Sequence, residues 1–232
     1  MLFYLHFFIV MKKQFFILAT VAAAFALASA AHAQGIRLGV KAGANLSNLS
    51  GDLTEEDRFE NKLGFHGGVM LNVGLAGDGF LSLQPEVLFS QKGFKYANNE
   101  FTILGNRYKY EGDRTYNYID VPVLLKINTG GFFVEAGPQY SYLLKVKDDS
   151  KFSVNGNTAS QGSNTQNLDN VNRNEIGYAA GLGFQSDSGL LLGIRYNGSF
   201  TDFGKDGYSD NDVRNARNSV FQASVGFLLP GK

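Results

Sequence analysis

The chain of 232 residues contains no cysteine and no tryptophan. Without cysteine it can form no disulfide, no thiolate nucleophile and no cysteine-ligated metal centre. Proline is also scarce, with four residues, and the 21 basic and 21 acidic residues balance to a formal net charge of zero. Nucleic-acid-binding proteins cluster an excess of positive charge, so this balance argues against nucleic acid as a partner.

Glycine and aromatic residues are abundant instead. The chain has 28 glycines and 13% aromatic residues, while its mean hydropathy is slightly negative at −0.12. Glycine supplies tight turns and aromatic residues favour strands. The composition therefore favours an all-β protein, and the length favours one domain.

The N-terminal segment has the order of parts found in a secretory signal peptide. The basic pair Lys12 and Lys13 precedes an apolar run, Phe15–Leu27, and small residues follow at Ala31–Ala33. This order predicts a signal peptide over residues 1–33 that carries the chain out of the cytoplasm. An N-terminal transmembrane anchor is the alternative interpretation of the same apolar residues.

The rest of the chain is predicted to be the mature domain, residues 34–232. Residues 1–10 are interpreted as an upstream extension, because Met11 directly precedes the two lysines and is the better initiator. No later segment approaches the roughly 20 consecutive apolar residues that a membrane helix requires.

Apolar residues alternate with polar residues or glycine along most of the mature chain, as expected of β-strands with two different faces. The alternation predicts eight strands, near residues 36–46, 63–73, 81–90, 118–127, 132–142, 175–185, 190–201 and 221–229. The connections alternate as well. Tight glycine turns occur at 76–79, 128–131 and 186–189, and long polar segments occur near 47–61, 94–115, 146–174 and 202–218. All short turns then lie at one end of the strands and all long loops at the other, and we expect loop 146–174 to be mobile.

The polar faces of the strands carry charges of both signs. A membrane barrel points its apolar side chains to lipid and its polar side chains to the lumen, where opposite charges can pair. We predict a polar network in the lumen, formed by Arg37, Lys41, His66, Glu86, Lys92, Asp120, Lys126, Glu135, Glu175 and Arg195. The fold class is therefore predicted as an all-β, eight-stranded antiparallel up-and-down transmembrane β-barrel, with a periplasmic lipocalin-like binder as the soluble alternative.

Aromatic residues near the strand ends support the membrane interpretation. Two girdles at the bilayer interfaces are typical of membrane barrels. The first is predicted at the short-turn end, from Phe80, Phe132, Phe184 and Phe227. The second is predicted at the long-loop end, from Phe94, Tyr96, Tyr116, Tyr118, Tyr140, Tyr142 and Phe203.

Four segments resemble motifs of PorT-like outer membrane β-barrel proteins. They are Ser82–Gly93, Tyr118–Lys126, Phe133–Gln139 and Gly193–Tyr196, and the resemblance extends over essentially the whole mature chain. It implies an eight-stranded barrel of the outer membrane, and it implies little about activity.

Candidates for catalysis are few. His66 is the single histidine of the mature chain, and a Ser/His hydrolase would need it beside a serine such as Ser82, Ser90 or Ser199. A hydrogen-bonded histidine filling the lumen is the simpler interpretation. Acidic residues at the long-loop end have no recognisable catalytic spacing: Asp52, Asp57, Asp202, Asp206, Asp210 and Asp212. The run Asp206–Asp212 lacks the closing glutamate of a calcium loop. We expect no catalytic, cofactor-binding or metal-binding residues.

The sequence thus predicts an integral outer membrane protein that is not an enzyme. We expect a structural or partner-binding role through four long extracellular loops, with the lumen plugged by the charged network. The expected partners are outer membrane lipid, the barrel assembly machinery during biogenesis and an unidentified extracellular ligand or protein, and we expect a monomer. A narrow porin and a lipid-modifying outer membrane enzyme are the alternatives.

Overall fold

The structure is a computed structural model that describes residues 35–51, 53, 58–205 and 214–230. The predicted signal peptide, residues 1–33, lies outside the described residues. Within the described ranges, no helix has the length and apolar character needed to cross a membrane.

The described residues form nine β-strands and a one-turn 3-10 helix, Gly77–Gly79, between the second and third strands. The strands are β1 (Ile36–Gly51), β2 (Phe59–Ala76), β3 (Leu81–Ile103), β4 (Asn106–Thr129), β5 (Phe132–Val154), β6 (Asn157–Thr165), β7 (Asn174–Gln185), β8 (Leu190–Ser199) and β9 (Ala216–Leu228).

Eight of these described strands close into a ring. Each neighbouring pair is antiparallel, in the order β1-β2-β3-β4-β5-β7-β8-β9, and β9 returns to pair with β1 from Gly39 opposite Leu228 to Gly51 opposite Ala216. β6 pairs only with β5 and stands outside the ring. The prediction of an eight-stranded antiparallel up-and-down barrel is confirmed.

Side chains alternate between the outside and the inside of this ring. On β8, Ile194 is 60% exposed whereas the next residue, Arg195, is 5% exposed. On β1, exposed Val40 precedes buried Lys41 in the same way. Charged side chains are thus turned inward and aliphatic ones outward, which is the arrangement of a barrel in lipid rather than in water.

Two of the predicted loops are β-structure, and here the prediction was wrong. β3 and β4 continue past the barrel rim to a hairpin turn, and β5 and β6 form a second hairpin beside them. Residues 95–103, 106–115, 145–154 and 157–165 together form a four-stranded antiparallel sheet, here called the projecting sheet. Stacked aromatic rings stabilise the pairing of β3, β4 and β5 in this sheet, since the ring of Tyr108 lies 5.3 Å from that of Phe101 and 6.1 Å from that of Phe152.

The aromatic girdle is confirmed at the short-turn end, where Phe80, Phe132, Phe184 and Phe227 are exposed on the outer surface. At the long-loop end the prediction was wrong for four of its seven residues, whereas Tyr140 and Tyr142 are half-buried on the outward face of β5. Phe94, Tyr116, Tyr118 and Phe203 are buried. The reason is strand parity: Phe94 is in phase with inward Lys92, and Tyr116 and Tyr118 are in phase with inward Asp120. Outward rings at that end also come from other residues, including Tyr178, Phe200 and Phe221.

Candidate functional site

The centre of the barrel is an ion-pair cluster built around Glu86. Arg195 on β8 donates to both Glu86 oxygens, at 2.8 Å and 2.9 Å, and Lys41 on β1 donates to Oε1 at 2.7 Å. Arg195 also donates to Glu135 on β5, at 2.6 Å and 2.8 Å. Two cations and two carboxylates from four strands therefore meet inside the ring. A bidentate arginine–carboxylate pair of this kind fixes both position and orientation.

A second cluster lies nearer the long-loop end. Lys92 Nζ is 2.9 Å from Asp120 Oδ1 and 3.7 Å from Glu175 Oε1, and it lies 4.5 Å from the centre of the Tyr118 ring. Asn218 donates to both Glu175 and the Tyr118 hydroxyl. This cluster holds one cation against two carboxylates, so neutral donors supply part of the stabilisation that a second cation would give.

Lys126 completes the charged interior near the short-turn end. Its ammonium donates to Gln185 Oε1 at 2.8 Å and to Gln84 Oε1 at 3.4 Å, and it lies 3.8 Å from the centre of the Phe133 ring. Amide oxygens and an aromatic face therefore hold this buried cation.

His66 lies between the two charged clusters and is fully hydrogen-bonded. Its Nδ1 is 2.7 Å from Asn45 Oδ1, and its Nε2 is 2.9 Å from Ser224 Oγ. Since an amide oxygen can only accept, Nδ1 is the donor, and Nε2 accepts from the Ser224 hydroxyl. The three serines considered from sequence have other hydrogen-bond partners, although Ser90 lies opposite His66 on β3. Ser82 and Ser90 accept from Asn72 and Asn45, and Ser199 donates to the backbone of Thr201.

Arg37 is the one predicted member that stands apart from the network, so its inclusion was wrong. It lies at the short-turn end and donates to the backbone oxygens of Leu229 and Leu228, at 3.1 Å and 3.2 Å. These carbonyls belong to the last residues of β9 and beyond, where the ladder ends. Arg37 therefore links β1 to the C-terminal end of β9, where the first and last strands of the barrel pair.

The predicted acidic residues at the long-loop end are largely not covered by the structure. Asp202 is described and pairs with Arg217 at 2.7 Å. Asp52, Asp57, Asp206, Asp210 and Asp212 lie outside the described residues. Among the residues that are described, no group of three His, Asp or Glu side chains is arranged to hold a metal ion.

An apolar cap lies in the lumen above the charged clusters. Phe94 packs against Phe59 at 4.9 Å between ring centres, and Tyr116 packs against Phe203 at 4.8 Å. The cap, as used below, is the buried cluster Leu49, Phe59, Phe94, Tyr116, Tyr118, Leu143, Val146, Val171, Phe203 and Ala216. Sequence reasoning missed it because the aromatic residues were counted as lipid-facing. Their parity with Lys92 and Asp120 is the signal that could have identified them.

A cavity of about 10 Å³ lies at the Glu86 cluster, lined by residues that include Lys41, Glu135, Arg195 and Ser224. That volume corresponds to about one water molecule. The cavity at the Glu86 cluster can therefore hold a water molecule but not an organic substrate.

A closed ring of membrane-length strands, lipid-compatible outside and charged inside, defines a transmembrane β-barrel. The chain belongs to the family of outer membrane protein beta-barrel domains, which it matches over residues 28–204. Membership of this family places the protein in the outer membrane. The barrel itself continues past the matched range, since β9 ends at Leu228.

Solved structures with similar architecture are known. Ail, the attachment invasion locus protein of Yersinia pestis, is 15% identical, with a TM-score of 0.43, over 85% of this chain and 100% of that chain. Neisserial surface protein A is 16% identical, with a TM-score of 0.41, over 84% and 99%. OprG from Pseudomonas aeruginosa is 10% identical, with a TM-score of 0.37, over 85% and 97%. No curated relative matches the chain.

Proposed function

We propose that this protein is a non-enzymatic outer membrane barrel whose lumen is closed and whose projecting sheet binds partners outside the cell. The observation that carries the proposal is the filled interior. The charged clusters and the cap occupy successive levels of the lumen, and the cavity at the central cluster measures about 10 Å³. An eight-stranded barrel is just wide enough for side chains to fill, so filling it removes any solute path.

Closure is tested by conductance in planar lipid bilayers. We expect no discrete current steps for the purified protein. The double variant Glu86→Ala/Arg195→Ala provides the comparison, because it removes the central bridge while leaving Lys41 and Glu135, whose opposite charges balance. Discrete single-channel currents from the unmodified protein would favour the narrow porin instead.

The proposed orientation places the short turns in the periplasm and the projecting sheet outside. The chain has no cysteine, so Thr158→Cys on β6 introduces a unique thiol. We expect a membrane-impermeant maleimide to label this thiol on intact cells. The matched variant Asp187→Cys, in the turn between β7 and β8, should be labelled only after the outer membrane is permeabilised. The reverse pattern would contradict the orientation.

The proposal also covers the subgroup of the barrel, its assembly partner, its oligomeric state and its signal-peptide cleavage site. The PorT-like motifs support placement in that subgroup, without carrying over an activity. The barrel assembly machinery is the proposed partner in biogenesis, and the folded protein is proposed to be a monomer. Removal of the signal peptide after Ala33 predicts Gln34 as the first residue of the mature protein, which N-terminal sequencing of the membrane-extracted protein measures.

A hydrolase is the second candidate, because Ser224, His66 and Asn45 are hydrogen-bonded in the order of a catalytic triad. The surrounding space argues against it, since the adjacent cavity of about 10 Å³ admits no ester substrate. We therefore expect the folded protein to show no labelling by a fluorophosphonate probe. Labelling that disappears in Ser224→Ala but persists in Ser199→Ala would overturn the non-enzymatic proposal.

A further inference from the structure

The two hairpin tips of the projecting sheet have the same backbone and different residues. The β5–β6 tip is Asn155 and Gly156, with φ of 50° and 83°. The β3–β4 tip is Leu104 and Gly105, with φ of 49° and 78°. Two-residue turns with positive φ at both positions favour Asn-Gly, because leucine is strained in the left-handed region. The β3–β4 tip therefore holds a strained leucine. The neighbouring tip holds an asparagine, which adopts the same conformation with less strain.

Leu104 obtains almost no compensating contact from the described residues, because it is 97% exposed. Ile103 beside it is 54% exposed, and Phe101, two residues earlier on the same face of β3, is 45% exposed. An exposed apolar group at the end of a projecting sheet marks an interaction surface. The strain at Leu104 indicates in addition that the residue serves a contact made outside this chain.

Among the residues that the structure describes, the backbone at the same place has an open edge. Residues Asn99–Ile103 pair with β4 on one side. On the other side β2 reaches only to the level of Tyr96, where Phe59 is its partner, and no described strand continues beyond that level. The free N–H and C=O groups of such an edge are available to an added strand. The apolar tip and the open edge thus coincide on β3.

We propose that this edge binds a second copy of the chain carried by a facing membrane, through antiparallel pairing of the two β3 edges. The inference rests on the proposed function, because it requires the projecting sheet to lie outside the cell. β3 runs away from its own membrane, so a copy in a facing membrane runs in the opposite direction. Antiparallel pairing is then the arrangement that the two membranes impose.

The residue order suits self-pairing about Phe101. With Phe101 opposite its own counterpart, Asn99 faces Ile103 of the second copy, and Glu100 faces Thr102. No like charges oppose one another, and aromatic rings meet at the centre. Insertion of the tip into lipid fits less well, because the open backbone edge beside Ile103 would lose its water without gaining hydrogen-bond partners.

The test uses clustering of proteoliposomes, measured by light scattering, with the purified protein in vesicles of neutral phospholipid. Vesicles that carry the protein should cluster with one another and should not cluster with protein-free vesicles. Leu104→Asn copies the relaxed tip at Asn155 and should lower the clustering rate at least tenfold, as should Phe101→Thr. Tyr110→Thr removes an equally exposed ring from β4, away from the edge, and should leave clustering unchanged.

Three results would overturn the inference. They are no clustering of the unmodified protein, clustering with protein-free vesicles, or equal clustering by all three variants. Maleimide labelling of Thr158→Cys on the same vesicles shows that the projecting sheet faces outward in the assay. If the sheet is labelled both on cells and on vesicles, but the vesicles do not cluster, this inference alone is contradicted. A sheet not labelled on intact cells contradicts the proposed function.

Discussion

At the scale of single residues, Glu86 shows how one side chain can join three strands. It accepts hydrogen bonds from Lys41 on β1 and Arg195 on β8, and also from Gln84 on its own strand. Its side chain is fully buried. A buried charge of this kind stabilises the fold only while its partners remain, because desolvation opposes every ion that is left unpaired.

We therefore predict that Glu86→Gln destabilises the barrel by about 3–5 kcal/mol, the usual range when one partner of a buried ion pair is removed. The physical reason is that Lys41 loses its carboxylate and Arg195 retains only Glu135. Urea-induced unfolding in lipid vesicles, followed by tyrosine fluorescence, measures the change. Asp187→Asn, at an exposed turn, serves as the control and should shift the midpoint little. Equal shifts for the two variants would contradict the structure of the cluster.

At the scale of the strand, backbones approach so closely that some positions exclude any side chain. A Cβ added at Gly137 would lie 2.0 Å from the backbone oxygen of Val123 and 3.0 Å from Leu124 Cα. Gly162 on β6 is different, since a Cβ there would meet only Ser150 Oγ at 3.4 Å. The abundance of glycine thus has a packing cause in the barrel wall that the open β6 strand does not share.

Gly137→Ala is accordingly expected to destabilise the barrel by at least 1 kcal/mol, roughly the lower end of what overpacking costs. The clash is with backbone atoms, which cannot rotate away. The fraction of folded protein after refolding into detergent micelles is a suitable measure, with Gly162→Ala as the matched control. A Gly137→Ala protein that refolds as well as the control would show that β4 and β5 separate more easily than their geometry indicates.

The stability of the projecting sheet should depend on pH. Hydrogen bonds from Arg107, Lys109 and Lys147 lower the pKa values of Glu100, Glu111 and Asp149 respectively. A carboxyl group with a lowered folded-state pKa stabilises the fold above its ordinary pKa. That contribution is lost as the pH falls through the folded-state value.

We expect the projecting sheet to loosen below about pH 4, near the ordinary carboxyl pKa, with a modest effect because these pairs are exposed. Limited proteolysis by pepsin at pH 2–4, roughly the range where the carboxyl groups become protonated, should cut within residues 95–115 and 145–165 before it cuts the barrel. At pH 7, where pepsin is inactive, Glu100→Gln should raise the rate of cutting by chymotrypsin. At the lowest pH it should leave the rate of cutting by pepsin unchanged. Cutting that is independent of pH would contradict a role for these ion pairs.

At the scale of the whole molecule, closure of the ring governs stability. β1 and β9 pair over thirteen residue positions, so every barrel strand has two hydrogen-bonded neighbours. With no free edge along the barrel wall, unfolding must break two ladders at once. We predict that unheated protein migrates differently from boiled protein on detergent gels. A single mobility at every temperature, together with solubility without detergent, would contradict the membrane barrel.

Much of the fold could be predicted from local pattern. Alternation along 190–201 or 118–127 identifies strands because side chains on successive residues point to opposite faces. The loops were harder to predict. Residues 106–115 and 157–165 carry polar and glycine-rich stretches typical of loops. Ring stacking and an ion pair join the first of them to β5, and backbone pairing with β5 holds the second.

The candidate site was predictable in composition and only partly in arrangement. Charge on inward positions indicates that Lys92, Asp120 and Glu175 share the lumen, since parity is a local property. Which cation meets which carboxylate depends on the stagger of strands far apart in sequence, as in the Arg195 pair with Glu86. Asn45 and Ser224 became visible as partners of His66 only once the ring had closed.

The sequence by itself determined the strands, their two faces and the absence of cysteine chemistry, because each of these follows from neighbouring residues. The tertiary structure decided two further matters: which lumen charges pair with one another, and the formation of the projecting sheet. Both depend on contacts between strands that are distant in sequence. The alternation along one strand specifies which face is buried, but it does not specify which side chain of another strand lies opposite a given charge.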